Sequence, residues 1–547
     1  DTSWNRLPGG AAVAEKLDAA LAAFDADAPE KVVPHLMEAR RRMAGIDHPD
    51  ARRKMEELDE AVALAAGLWL DANAERPSAA PGGAVNVSIT ALNRSRVPAR
   101  LVSAELHGIA GAPSFGAAEL EYNRPHTARA AVRIPPDQPL TQPLQLRYPP
   151  KGNLYDIREP AAIGPAEADP VLTALFRIAI GGGEIAVRRP VEHRYVDRVR
   201  GELTRPFVIA PPVSVRLAET PLLFRTPEPR AAAVEVRSIA GRVSGELRLE
   251  APEGWRVEPA SLPFAIAEAG QSATLTFRVA PPAQAGKGLL RAAARTDGSE
   301  WRHLVTHIEY EHIPPQTVLR AAETRLLRDD IRVLARRVGY VMGAGDLVPE
   351  ALRELGCEVT LLGEADLAHG DLSAYDAIVT GIRAWNVRAD LRAAHARLRD
   401  YVERGGTLVV QYNTLEGFFG EGESPALRHI GPFPIRIGRS RVTVEEAPVR
   451  MLLPDHPLLN RPNRITGADF EGWVQERALY LPAGWDPRYE ALLETADPGE
   501  PPQRGGLLFA RVGKGAYVFT SFAWWRQLPA GVPGAWRIFA NLVSAGR

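Results

Sequence analysis

The chain has 547 residues, 45% hydrophobic and 24% charged, with a net charge of −1 and a pI near 7.0. This ordinary globular composition predicts three or four domains of about 150 residues each. It provides no basic field to collect nucleic acid or anionic lipid, and no apolar run approaches the roughly 20 residues that span a bilayer. A single cysteine excludes an intramolecular disulfide and any cysteine-based zinc cluster.

The opening residues, DTSWNRLPGG, hold no Met and no charged-then-apolar leader, so the chain reads as processed or as a piece of something longer. Residues 10–76 read as three helices. The third opens at Pro49 and carries Met55, Leu58, Val62, Ala65 and Trp69 at three-to-four spacing. They are expected to form a small bundle that ends in the turn-rich ERPSAAPGG, 75–83. The period then becomes two, as in AVNVSITAL, 84–92. Short strands broken by Pro and Gly follow, LQLRY (144–148) and LFRIAIG (175–181) among them, and a second series runs from VSVRLA at 213 to LLRAAAR at 289. Even spacing of short strands with turn signals predicts two Ig-like β-sandwiches. After HIPPQTV (312–318), strands alternate with helices, which predicts a doubly wound α/β domain with a mostly parallel sheet. The expected divisions are a helical segment at 1–78, sandwiches at 79–203 and 204–315, and the α/β domain at 330–547.

Cys357 begins a strand, at the wrong end of the sheet for a reactive thiol, and reads as structural. DHPD (47–50) precedes a helix and reads as helix punctuation, and DHPLL (455–459) as a turn into a loop. In WRHLVTHIEYEH (301–312), His303 and His307 would pair as metal ligands on a helix; on the strand that the context favours they stand about 13 Å apart. The richer constellation lies in the α/β domain. Arg383, Trp385 and Asn386 follow one strand, and Gln411, Tyr412 and Asn413 follow the next. Parallel strands place both groups on the carboxyl-end rim, where such folds hold ligands. DFEGWVQERALY adds Glu471, Trp473 and Gln475, and TSFAWWRQLPAG adds Ser521, Trp524, Trp525, Arg526 and Gln527. Aromatic faces with amides and arginines suit a sugar or an acidic small molecule; the same residues would equally seal a sheet edge or a domain interface. No His stands with a Ser or Cys, and no carboxylate pair is identifiable.

The segments DTSWNRLPGG, AGLWLDANAERPSAAPGGAVNVSITALNRS, YDAIVTGIRAWNVRADL, LRDYVERGGTLVVQYNT and RQLPAGVPGAWRIFANLVS resemble the long carboxyl-terminal region of large bacterial PIG-L (LmbE-like) N-deacetylases. The last domain is similar to class I glutamine-amidotransferase-like (flavodoxin-like) domains, and the second sandwich to modules found beside carbohydrate-active enzymes. The resemblance implies a preceding deacetylase domain as partner. Zinc would sit there, on a His-Pro-Asp-Asp motif and a distant His, and act on N-acetylglucosamine-type sugars. No cofactor is expected in the present chain, and DHPD departs from that motif. Gln411-Tyr412-Asn413 stands where the amidotransferase cysteine would be, so fold without thiol chemistry is implied. The leading expectation is a non-catalytic accessory region, a scaffold or glycan-holding part of a secreted, periplasmic or extracellular deacetylase. One alternative is a hydrolase or transferase built on Ser521, Glu471 and Asn413; another is a structural or assembly protein with tryptophan-rich subunit contacts.

Overall fold

The computed structural model describes residues 3–160, 163–164, 167–415 and 424–547. Asp1 and Thr2 of the opening segment lie outside the described residues. The molecule is β-rich and multidomain, with helices at both ends of the described chain.

Three helices, Gly10–Ala22, Val33–Met43 and Pro49–Ala65, open the fold. His48 caps the third: its Nδ1 accepts the Asp50 N–H at 3.2 Å, which makes DHPD a helix start. The helical reading to residue 76 fails at Gly67, whose φ of 63° ends the helix in a left-handed turn. Leu68–Ala74 is instead a strand, with Leu68, Leu70, Ala72 and Ala74 buried in strict alternation and Trp69 on the outer face. LQLRY is not a strand either. Leu144–Leu146 forms a 3-10 turn, because Pro143, Pro149 and Pro150 around it have no N–H to give a ladder.

The helices do not form a separate bundle. Their apolar residues share one core with the first sandwich, a pair of five-stranded sheets. Contact is close where the Thr173–Ile180 and Gly183–Pro190 strands turn, since a Cβ on Gly183 would stand 2.7 Å from Met37 Cε. Asp59 fixes the same junction. Only 3% exposed, it pairs with Arg40 through Nε and Nη2 and accepts the Ala186 N–H at 2.9 Å. The second sandwich packs the sheet containing Arg230–Ser238 and Ser272–Ala280 on that containing Val243–Glu250 and Gly286–Thr296. Its last strand, Glu323–Arg328, lies beyond residue 315, after a hairpin of His303–Tyr310 with Ile313–Ala321. His303 and His307 are therefore strand residues.

The carboxyl-terminal unit is built on a seven-stranded sheet. Its order is Glu358–Leu361, Arg337–Val341, Ala377–Thr380, Thr407–Val410, Gly515–Thr520, Leu507–Val512, Glu490–Ala491, and the first five run parallel. Alternate residues face opposite layers. Tyr340, Val379 and Val409 meet the helices Val348–Glu354 and Pro533–Val543; Val341, Ile378 and Val410 meet the helix His395–Glu403. Cys357 is buried there, and burial pushes its thiol up to about 11, which makes it unreactive. The unit is joined to the second sandwich by Glu354, which accepts from Arg230 at 2.8 Å and from the Leu223 N–H at 3.0 Å.

Asp59→Ala leaves a buried N–H and a half-buried guanidinium without their acceptor. It is expected to destabilise the amino-terminal unit by about 3–5 kcal/mol, read as a lower urea midpoint for its transition, whereas the exposed control Asp47→Ala should change little.

Candidate functional site

The ends of three neighbouring parallel strands bring most of the sequence-derived residues to one rim. Two roles separate on it. One set of side chains is turned inward and ties the turns together. Asn413, fully buried, accepts the Trp385 N–H at 3.0 Å and donates to the Gln411 carbonyl at 2.9 Å. Asn386 pairs both ways with the Thr414 backbone, at 2.8 and 2.9 Å. Gln527 does the same for Val474, at 2.8 Å in each direction. Trp385, Trp473 and Trp524 are core residues, 4% exposed or less; Trp473 and Trp524 spend their indole N–H on the Asp469 carbonyl and on Thr520. Ser521 is fully buried, and among the described residues its Oγ hydrogen-bonds only to the Tyr480 carbonyl, at 3.4 Å, with no base in reach. Glu471 is exposed and makes no side-chain hydrogen bond or ion pair with the group among the described residues.

The second set forms an aromatic ledge of half-buried Tyr480 and Trp525 on either side of Tyr412, which is itself 9% exposed. The Tyr412 ring stacks on Trp525 at 4.4 Å and 19°, and on Tyr480 at 6.1 Å and 29°. Arg526 lies against Trp525 at 5.8 Å and is held by Glu476 at 2.7 Å and by Gln475. Arg383 is exposed beside the stack. Burial raises the Tyr412 phenol above its ordinary value, and the Arg383 guanidinium pulls it back. Backbone strain concentrates here: of five non-glycine residues with positive φ among those described, Arg383 (54°), Gln475 (67°) and Tyr480 (51°) stand at this rim. A bulky residue such as Tyr480 adopts that region only when its surroundings impose it, at a cost of order 1–3 kcal/mol.

Below the ledge lies a polar cluster that the sequence reading missed. The strand order reverses between Arg337–Val341 and Ala377–Thr380, the place where open parallel sheets leave a crevice. Here Asp346 accepts from the Tyr340 hydroxyl at 2.6 Å, the Val348 N–H at 3.1 Å and the Ile382 N–H at 3.2 Å. Gln411 Nε2 donates to the Tyr340 oxygen at 3.0 Å. Burial raises the Asp346 carboxyl above its ordinary 3.8 and drives Tyr340 well above 10, so Tyr340 stays a neutral donor. Thr380 Oγ1, Gln411 Oε1 and Trp385 Nε1 are buried without a hydrogen-bond partner among the described residues. The available signal was GYVMGAGD (339–346), a glycine turn ending in an acid after the first strand. No group of three or more His, Cys, Asp or Glu among the described residues is placed to hold a metal ion.

Against this geometry, a family model for the NPCBM-associated, NEW3 domain of alpha-galactosidase matches residues 240–296, inside the second sandwich. No curated protein matches the chain. Among solved structures, a beta-galactosidase from Rahnella sp. R3 is 16% identical over 37% of this chain and 31% of its own, with a TM-score of 0.23. The native conformation of E. coli alpha-2-macroglobulin is 14% identical over 61% of this chain and 24% of its own, at 0.17. Salmonella alpha-2-macroglobulin reacted with methylamine is 12% identical over 49% and 16%, at 0.18. The present chain thus spans less than a third of the length of each.

Because native Asp346 holds its proton more tightly than the unfolded chain does, its contribution is largest at low pH. It declines as pH rises from 3.8 through the raised folded value. Asp346→Ala removes that slope along with three hydrogen bonds. The stability advantage of the wild type over the variant, from urea unfolding across this range, should be greatest near pH 3.8 and shrink above it.

Proposed function

We propose that the chain is the accessory region of a secreted N-deacetylase of the PIG-L (LmbE-like) class. Its carboxyl-terminal unit is a doubly wound, amidotransferase-like domain that holds sugar without cleaving it. The observation that carries this reading is the strained aromatic ledge of Tyr412, Tyr480 and Trp525 flanked by Arg383 and Arg526. Stacked rings bind the apolar faces of pyranose rings, and guanidinium groups reach their hydroxyl and acetamido oxygens. The buried Gln411 and Asn413 support a non-catalytic role, since Gln411 donates to the Tyr340 hydroxyl and Asn413 holds the Trp385 backbone where a nucleophile would stand. A NEW3-type match in the second sandwich supports a place beside carbohydrate chemistry.

On this reading the deacetylase domain supplies zinc and bond cleavage. The present chain raises the local concentration of substrate through tethered binding. Its location would be periplasmic or extracellular; among the described residues no helix is long and apolar enough to cross a membrane. The hydrolase alternative is not favoured by the burial of Ser521 or by its lack of a base among the described residues.

Titration calorimetry of the chain with N-acetylglucosamine oligomers and their deacetylated forms tests the ledge. Saturable binding is expected, weakened tenfold or more (about 1.4 kcal/mol) by Trp525→Ala, with no acetate released by the chain alone. Trp524→Ala should instead cost about 3–5 kcal/mol of stability, since it opens a core cavity. Absence of binding to either oligomer would move the assignment to a scaffold with these rings as an interface.

A further inference from the structure

One sheet of the first sandwich turns a polar face to solvent. Its strands run in the order Gly201–Pro206, Glu192–Asp197, Leu68–Ala74, Ala84–Asn93, His126–Arg133. On the Ala84–Asn93 strand, Val85, Val87, Ile89 and Ala91 point into the core. The alternate residues Asn86, Ser88 and Thr90 point outward. The register places Ser88 against Arg129 and Thr90 against Thr127, so Thr127, Arg129, Ala131 and Arg133 share that outer face; these four and Asn86 are exposed.

Charge is sorted across this face. The acids stand toward the other strands and are engaged: Asp71 accepts from Arg194 at 2.9 Å, Glu202 lies 3.3 Å from Arg194, and Glu75 accepts from Asn86 at 2.9 Å. Glu192 is half-buried opposite Asn73. The arginines stand along the edge. Arg94 lies four residues past Thr90 on one strand; Arg129 and Arg133 lie two and six past Thr127 on its antiparallel neighbour, in the opposite direction. Ten residues of strand separate the ends of this line, about 33 Å. Arg94 is turned outward, 5.9 Å from the Trp69 ring, and Arg96 next to it lies 4.7 Å over Tyr122, which is 51% exposed. All four arginines are exposed, and none pairs with a carboxylate among the described residues.

We infer that this edge binds a polyanionic glycan laid along the Ala84–Asn93 and His126–Arg133 strands, its acidic groups meeting Arg94, Arg129 and Arg133. Guanidinium forks match oxyanions two bonds at a time. Between them, Asn86, Ser88, Thr90 and Thr127 offer an amide and hydroxyls to the hydroxyls of a sugar chain, which contacts to a phosphate backbone alone would leave unused. A line of separated cations suits a polymer better than a single ion. The net charge of −1 gives no long-range attraction for nucleic acid or anionic lipid, so recognition is confined to this line. The inference is independent of what the aromatic ledge binds.

The test is calorimetric titration of the full chain with polygalacturonate, at low salt and with added sodium chloride. Saturable binding that weakens with salt is expected. The triple variant Arg94→Ala, Arg129→Ala, Arg133→Ala should lower affinity tenfold or more. An equal loss of charge from exposed arginines of the second sandwich, Arg242→Ala, Arg256→Ala, Arg278→Ala, should leave affinity unchanged. The substituted side chains are exposed, so both variants should keep the wild-type near-ultraviolet dichroism. The single variant Arg129→Glu, expected to weaken binding at least threefold, remains decisive where the first triple variant disturbs folding. Any of four results overturns the assignment: no saturable binding, equal weakening in the two triple variants, unchanged affinity in Arg129→Glu, or duplex DNA bound as tightly as polygalacturonate, which marks an unspecific polyanion surface.

Discussion

Where parallel strands end together, their last amide and carbonyl groups need partners, and in this protein side-chain amides and one carboxylate supply them. Asn386 and Gln527 each pair in both directions with backbone of another segment, and Asn413 accepts from Trp385 while donating to the Gln411 carbonyl of its own turn. Asp346 collects two N–H groups and a phenol across the strand reversal. Arg388 reaches the Met342 carbonyl at 3.2 Å from the far side of the same crevice. Each such bond is worth only about 1 kcal/mol net. Leaving any of these buried groups unpaired costs more than that, so the stitching is cooperative.

This constraint decides what the rim can do. Gln411 and Asn413 alternate inward with the strand period; Gln411 donates to the Tyr340 hydroxyl and Asn413 is taken up by backbone. Tyr412 between them meets Trp525 and Tyr480. The turn is thereby fixed as a support for rings, and a nucleophile at 411 or 413 would break the stitching before it could act. The left-handed residues Arg383, Gln475 and Tyr480 are the counterpart of this rigidity. Their local cost is sustained because the stitched turns leave the backbone no relaxed path, and the result is a rigid rim.

Much of the architecture was legible because period and punctuation are local signals. Alternation marked the sandwich strands, and the switch to strand–helix alternation marked the carboxyl-terminal unit. Gly67 was equally visible, but helical spacing from Val62 through Ala65 to Trp69 ran across it and masked the strand. Site residues were harder. The sequence WW at 524–525 gives no hint that one ring is core and its neighbour rim; the four-residue helix Trp524–Gln527 separates them by rotation. An amide that binds a ligand and an amide that caps a turn are the same residue type, so Gln411 and Asn413 could be placed at the rim but not assigned a role. Asp346 and Tyr340 stayed hidden because their meaning depends on strand order, which is not a local property.

Net charge shows the same limit. A total of −1 describes 66 basic and 67 acidic residues without saying how they are distributed. Here Asp486 is paired with Arg488, and Glu494 with Arg450 and Arg504, so charge is balanced over a few ångströms in ways that the total does not show.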